Sequence, residues 1–431
     1  MFAADNIRQF LRKQLFPSQA GERAQAAFEA YSANATGGPL LVKTDDVAKY
    51  IGTWLAGMAT GRSVFCANPR WSPHEWREAH AAIFTPGNSP TARPLLHIPT
   101  GGTGGRIRFI SHTHTTLAAA ARAQVTALAG RRQLNAVSPL PPWHISGLMP
   151  IVRALTCGGT LLLCDGSFHA HAPASAPLPH LPNASAKNAL QISLVPTQLF
   201  RLLALPGGTR WLRRFDCVLL GGAPPTASLL ATAHLEKLRI AIGYGMTETA
   251  AFIALHSPEE FTGEWPVTGH ILSHAQIQIL DTAGDTQPLG TPGLIDIKAT
   301  SLTPEANGHL TTQDEGILEN HRLRVLGRVD RFIISGGEKT DPRRVEAALL
   351  AVPWVRAAHV SGIPDNEWGQ RVAALVELSD AAAGDWQEKL ADITRATLPK
   401  HSVPSRWARI PALPFDERGK ISPTTLARLL A

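Results

Sequence analysis

The densest run of chemistry-bearing residues is Pro99-Thr100-Gly101-Gly102-Thr103-Gly104-Gly105-Arg106-Ile107-Arg108. Its four glycines let the backbone approach an anion closely, and successive N–H groups can form a nest around one. Two threonine hydroxyls add donors. Arg106 and Arg108 supply the positive charge that a polyphosphate needs. No Gly-Lys-[Ser/Thr] ends the run, so it is not a Walker A loop. Taken alone, it reads equally as a plain glycine turn.

A second constellation is Gly243-Tyr244-Gly245-Met246-Thr247-Glu248-Thr249. Tyr244 offers an aromatic face for a purine, Thr247 a hydroxyl for a phosphate, and Glu248 a carboxylate for Mg²⁺. A structural turn capped by a threonine is the alternative. A third pairs Asp314, in Thr312-Gln313-Asp314-Glu315-Gly316, with Arg328, fourteen positions on. A buried Asp can accept both hydroxyls of a ribose, and an Arg can bond the same sugar or its phosphate. A surface charge cluster is the alternative there. Two further stretches carry Gly336, Gly337 and Lys420: Ile334-Ser335-Gly336-Gly337-Glu338-Lys339 and Glu417-Arg418-Gly419-Lys420-Ile421. By themselves these read as solvated charge near glycines.

The elements that would position these groups alternate. Helical periodicity covers 24–30 and 45–59, and an apolar strand at 94–99 runs into the glycine-rich turn. Helices are expected at 116–128, 148–156, 197–204 and 228–234. Strands are expected at 136–140, 160–164, 191–195, 217–220 and 239–242. Such alternation predicts an α/β fold with a mostly parallel sheet. Residues 169–187, rich in Ala, Pro, Ser and His, read as a surface loop, and His169, His171 and His180 as solvated members of it. After about residue 262 the pattern alternates like antiparallel strands, which predicts a small β-rich subdomain over 262–329. A helix at 342–351, strands at 357–362 and 372–378 and a helix at 385–398 predict a separate α+β domain. The expected organisation is a large domain over 1–329 and a small one over 330–431.

The chain has 431 residues, 44% hydrophobic and 17% charged, as ordinary globular proteins have. A net charge of +7 suits anionic small ligands. No dense Lys/Arg run marks a nucleic-acid face. Cys66, Cys157, Cys164 and Cys217 form no Cys-x-x-Cys pair, and read as free thiols in a reducing compartment. The charged N-terminus lacks the apolar core of a signal peptide, and no apolar run approaches the ~20 residues of a membrane span. A cytoplasmic enzyme is the expectation.

The motifs, in this order and spacing, resemble those of the adenylate-forming superfamily of acyl-CoA synthetases, peptide-synthetase adenylation domains and luciferases. The likeness runs from about residue 90 to the end. The family's phosphate loop, Thr-Ser-Gly-Ser-Thr-Gly-x-Pro-Lys-Gly, aligns without a gap on residues 100–109. Ile107 stands for its Pro, and Arg108 for its Lys. The resemblance implies that Thr100, Gly101, Gly102, Thr103 and Gly104 bind nucleotide phosphates. It likewise implies adenine contacts at Gly222, Ala223, Tyr244 and Gly245, a phosphate contact at Thr247, Mg²⁺ at Glu248, and ribose at Asp314 and Arg328. Asp330 would be the hinge of a mobile C-terminal domain, Gly336 and Gly337 would line the CoA channel, and Lys420 would assist adenylation. His144, in Trp143-His144-Ile145-Ser146-Gly147, is similar to the family's His-x-x-Gly beside the acyl pocket.

Within the superfamily, the wording of residues 98–109, 194–203 and 327–346 is similar to that of the o-succinylbenzoate–CoA ligases. What this implies is an ATP-dependent ligase with ATP, Mg²⁺ and CoA, acting on a small carboxylic acid. The second carboxylate of o-succinylbenzoate would need a polar or basic wall, for which Thr197, Gln198 and His144 are candidates. A ligase for another aryl or medium-chain acid, an enzyme loading a carrier protein, and a nucleotide-binding protein without activity remain the alternatives.

Overall fold

The protein is described here by a computed structural model that covers residues 2–34, 38–84, 95–101, 107–164, 178, 181, 187–264, 268–329, 332–335, 338–365, 368–380, 382, 384–415, 421 and 423–430. Two compact units emerge, one of residues 1–312 with 316–325, the other of 313–315 with 326–431.

The largest sheet has twelve strands. Across it they run Leu15–Phe16, Leu161–Leu163, Gln133–Ser138, Asn188–Leu194, Cys217–Leu220, Ile240–Met246, Ala251–His256, Thr268–Ile271, Arg322–Arg328, Leu310–Glu319, Gly293–Ala299, Ala275–Leu280. The first six are mutually parallel. Every residue of Cys217–Leu220 is buried, as expected where helices cover both faces of a sheet. At Ile240–Met246 the pairing turns antiparallel, and it stays so through Ala251–His256, Thr268–Ile271 and Arg322–Arg328. The strands after residue 262 thus extend the parallel sheet, with a core of their own around Ile253, Ile279, Ile295 and Leu323.

A second sheet orders Leu40–Val42, Val64–Cys66, Leu96–Gly101 and Ile107–His112. Its first three strands are parallel, and the last pairs antiparallel with Leu96–Gly101, the two strands carrying the described ends of the glycine-rich run. The second unit holds a five-stranded sheet around the long hairpin of Val355–Asp365 and Gly369–Leu378, packed on helices Pro342–Leu350 and Trp386–Thr397. The α/β class expected from the alternation is the class found.

Several elements escaped the sequence pattern, among them strands Val64–Cys66 and Ala251–His256, and two bear on the site. Ile107–His112 is a strand, although its six residues show no clean alternation. Helix Pro73–Phe84 begins at a capping box that was legible: Ser72 Oγ accepts from the Glu75 N–H and Glu75 Oε2 accepts from the Ser72 N–H. Gly243 to Met246 also belong to the preceding strand and do not merely follow it. Cys66 and Cys217 are buried, Cys157 and Cys164 half-buried, and none of the four is in a disulfide. No helix among the described residues is long and apolar enough to cross a membrane.

Candidate active site

Four adjacent parallel strands deliver candidate residues to one edge of the sheet. His144 follows Gln133–Ser138, Thr197 and Gln198 follow Asn188–Leu194, Gly222 and Ala223 follow Cys217–Leu220, and Tyr244 ends Ile240–Met246. The carboxyl edge of a parallel sheet is where open α/β folds bind ligands. Each turn is shaped by sequence. Gly222 takes φ +81°, in the left-handed region that favours glycine. Gly147 lies in the first turn of helix Ile145–Cys157 with its backbone against Pro141 O, where an added Cβ would lie at 2.2 Å. That contact explains the Gly of His-x-x-Gly.

A bulge between Tyr244 and Gly245 shifts the register of the pairing with Ala251–His256, which continues through Gly245 and Met246. An added Cβ at Gly245 would lie 2.1 Å from Ala251 O, so glycine is required for the two strands to close up. Met246 leads into a 3₁₀ turn, Thr247–Thr249, in which Thr249 Oγ1 accepts from the Met246 N–H at 2.9 Å. Ala250 and Ala251 then take φ +54° and +73°, a strained pair for alanines. The amide of Gln124, wholly buried in helix His114–Ala129, holds that pair by donating to Ala250 O at 2.9 Å and Phe252 O at 3.2 Å. Behind Gln124 lies Arg153, itself 3% exposed, donating to Gln124 Oε1 at 3.3 Å. Burial lowers the pKa of its guanidinium to about 10, so it stays charged at neutral pH.

The glycine-rich hairpin stands beside this turn. Thr100 pairs with Arg108 and Gly101 with Ile107, so the two strands stay in register from Leu96 and His112 to Gly101 and Ile107. Thr100 is half-buried and Arg108 exposed. At the far end of Ile107–His112, the His112 ring reaches the turn, with Nε2 at 2.7 Å from Thr247 O. On the other face, His97 stacks on Phe65 with ring centroids 4.0 Å apart and bonds the Ser111 hydroxyl at 3.0 Å. Burial pulls the pKa of His97 down to about 4 and lowers that of His112.

In the second unit Asp314 and Arg328 come together across neighbouring strands, N to O 3.8 Å, the Asp carboxylate mostly covered. Gly327, at φ +142°, lets the Arg343 guanidinium lie on the backbone beside Arg328, where a Cβ would be 1.9 Å from Nη1. Asp341 fixes that guanidinium at 2.9 and 2.6 Å.

Some expected groups are placed differently or lie elsewhere. Gln198 Oε1 caps its own helix by accepting from the Val195 N–H at 3.0 Å, which commits that oxygen. Gly102, Thr103, Gly104, Asp330, Gly336, Gly337 and Lys420 lie outside the described residues, as do His169, His171 and His180. Among the described residues no group of three or more His, Cys, Asp or Glu could hold a metal by itself. Glu248, half-buried and next to Thr247 in the chain, offers hard oxygen donors. One carboxylate completed by substrate phosphates is the usual coordination of nucleotide-bound Mg²⁺, so these residues fit that ion.

Residues 44–305 match the AMP-binding enzyme family, and residues 344–420 match the AMP-binding enzyme C-terminal domain. The chain belongs to the AMP-binding enzyme family. Over 309 residues this AMP-binding enzyme is 33% identical to the 2-succinylbenzoate–CoA ligase of Geobacillus kaustophilus, a match covering 68% of this chain and 61% of that enzyme's length. Over 345 residues it is 30% identical to a probable 2-succinylbenzoate–CoA ligase of Mycobacterium tuberculosis, covering 78% of this chain and 84% of the other. The solved o-succinylbenzoate CoA synthetase of Bacillus subtilis, in complex with its acyl-adenylate intermediate, superposes with a TM-score of 0.75 at 22% identity over 98% of this chain and 97% of that one. At that identity the likeness establishes the adenylate-forming fold.

Proposed function

We propose that this AMP-binding enzyme is an ATP-dependent acid–CoA ligase that converts o-succinylbenzoate to o-succinylbenzoyl-CoA through an acyl-adenylate. The observation that carries the reaction class is the junction of the glycine-rich hairpin with the Thr247–Glu248 turn, at 2.7 Å between His112 Nε2 and Thr247 O. This contact ties the strand of Arg108 to the turn that carries the Thr247 hydroxyl and the Glu248 carboxylate, at the carboxyl edge of a parallel sheet, and in the sequence the glycine-rich run leads directly into that strand. The substrate rests on the 2-succinylbenzoate–CoA ligase relatives at 33% and 30% identity. We place the reaction in the cytoplasm, where ATP and CoA are available.

In the first half-reaction the acid's carboxylate attacks the α-phosphorus of ATP and pyrophosphate leaves. A carboxylate needs no general base, so positioning and charge neutralisation carry the step. Thr100 to Gly104 and Arg108 hold the β- and γ-phosphates. Tyr244, Gly222 and Ala223 bound the adenine, and Asp314 with Arg328 hold the ribose. Thr247 contacts a phosphate, and Glu248 holds Mg²⁺. Bound there, Mg²⁺ would withdraw charge from the phosphates. Lys420 bridges the carboxylate and the α-phosphate as charge moves. In the second half-reaction the CoA thiol attacks the acyl carbon and AMP leaves. The two units part at residues 325–326, close to Asp330, which supports a hinge there that exchanges Lys420 for the Gly336-Gly337 loop.

The test is CoA-dependent AMP release with ATP and Mg²⁺, using o-succinylbenzoate, benzoate and octanoate. Strong preference for o-succinylbenzoate upholds the full reading. Turnover of the other acids alone discards the substrate and keeps the reaction class. No AMP release with any acid discards both.

A further inference from the structure

The turn that carries Thr247 and Glu248 is held from outside at four consecutive main-chain carbonyls. His112 Nε2–H donates to Thr247 O at 2.7 Å, and the Thr303 N–H to Glu248 O at 2.8 Å. The Ser301 hydroxyl donates to Thr249 O at 2.9 Å, and Gln124 Nε2 to Ala250 O at 2.9 Å. Ser301 and Thr303 follow one strand, Gln124 sits in a helix, and His112 ends the glycine-rich hairpin. Of the four, His112 is the one that itself lies on the strand of Arg108, while Thr303 reaches that strand at one remove, through Glu305 and Ser111.

Its ring is fully specified by its neighbours. A carbonyl oxygen only accepts, so the proton must sit on Nε2. Nδ1 lies 3.2 Å from the Thr116 hydroxyl, and the residue has no exposed surface. Burial favours the neutral ring, which is the form this arrangement needs. Side chains along a strand alternate, so Arg108 and His112 stand on the same face of Ile107–His112, roughly 13 Å apart. The strand therefore acts as a fixed spacer between a cation for the phosphates and the turn that carries Glu248.

We propose that His112 is a positioning residue that, through the Thr247 carbonyl, locks the Thr247–Glu248 turn to the strand of Arg108 and so presets the phosphate-binding and magnesium-facing groups relative to each other. The proposal rests on the ligase reading above. Preset donors spare the site the reorganisation that ATP binding and adenylation would otherwise require. Loss of the tether should therefore act on MgATP and leave the acid's own binding nearly unchanged.

The experiment compares His112→Leu and His112→Gln with the wild type. Glutamine can place an amide N–H where Nε2–H stands, and leucine cannot. ATP–pyrophosphate exchange gives KM for MgATP, KM for o-succinylbenzoate and kcat. Hydrogen exchange reports the Ala250 amide, which bonds the same Thr247 carbonyl at 3.1 Å. The expected result for His112→Leu is a KM for MgATP raised about tenfold with the acid's KM changed less than twofold, and faster exchange at Ala250. His112→Gln should recover most of both. An equal rise in both KM values, unchanged exchange at Ala250, or glutamine no better than leucine would overturn the proposal. If the wild type shows no pyrophosphate exchange, the ligase reading fails. The tether is then judged on Ala250: faster exchange in His112→Leu restored in His112→Gln upholds it, and no difference overturns it.

Discussion

At Gly245 even a methyl group would lie 2.1 Å from the Ala251 carbonyl oxygen, closer than any real Cβ contact. Gly245→Ala must push the two strands apart at the bulge and drag the Thr247–Glu248 turn with them. The expected cost is about 2 kcal/mol of stability and a fall of tenfold or more in ATP–pyrophosphate exchange. Urea unfolding and the exchange assay check the two arms, and a fully active variant would show that the turn tolerates the shift. At this scale the sequence was informative in kind. Gly-Tyr-Gly-Met-Thr-Glu announced a turn with an aromatic, a hydroxyl and a carboxylate. It did not announce Gln124 or His112, because a buried Gln in an Ala-rich helix and a His at a strand end carry no local signal of what they touch.

The hairpin of Leu96–Gly101 and Ile107–His112 is held on one face by His97, stacked on Phe65 and bonded to Ser111. Burial sets the folded pKa of His97 to about 4, against 6.5 for the free side chain. On acidification the unfolded chain therefore takes up the proton first. The stability supplied by the neutral ring is complete above about 6.5 and is lost as pH falls towards about 4. His274, pushed down to about 4 by burial, acts in the same direction. Thermal melting at pH 7 and pH 4.5 should show a fall that shrinks in His97→Phe, which keeps the stack and removes the titrating group. An equal or larger fall in the variant would sink this account. Most long helices of this architecture were legible from their periodicity, Pro73–Phe84 being an exception. Ile107–His112 was not, since a six-residue hairpin arm takes its conformation from its partner strand.

The whole molecule consists of two compact units that part near residue 325, with Asp314 and Arg328, the pair proposed to hold the ribose, in the second. If one site serves two half-reactions by exchange of the small unit, substitutions there must separate the halves. Lys420→Ala is expected to lower adenylate formation by two orders of magnitude or more while sparing thioester formation from a supplied acyl-adenylate. Asp330→Pro, which restricts φ at the hinge, should hurt one half-reaction selectively. Both are checked by assaying the two halves separately. A proportional loss in both halves would remove Lys420, Asp330 or both from these roles.

The sequence by itself determined the chemical groups, their order along the chain and the α/β class, because periodicity, caps and glycine turns act within a few residues. The expectation of separate large and small domains came from the same short-range texture. The tertiary structure decided which groups meet. Candidates from four strands converge on one sheet edge only because those strands lie side by side in a parallel order, which their local pattern does not encode. The His112–Thr247 bond spans 135 residues. Such a contact depends on strand order and register, which emerge when the whole sheet closes its core and which no window of sequence contains.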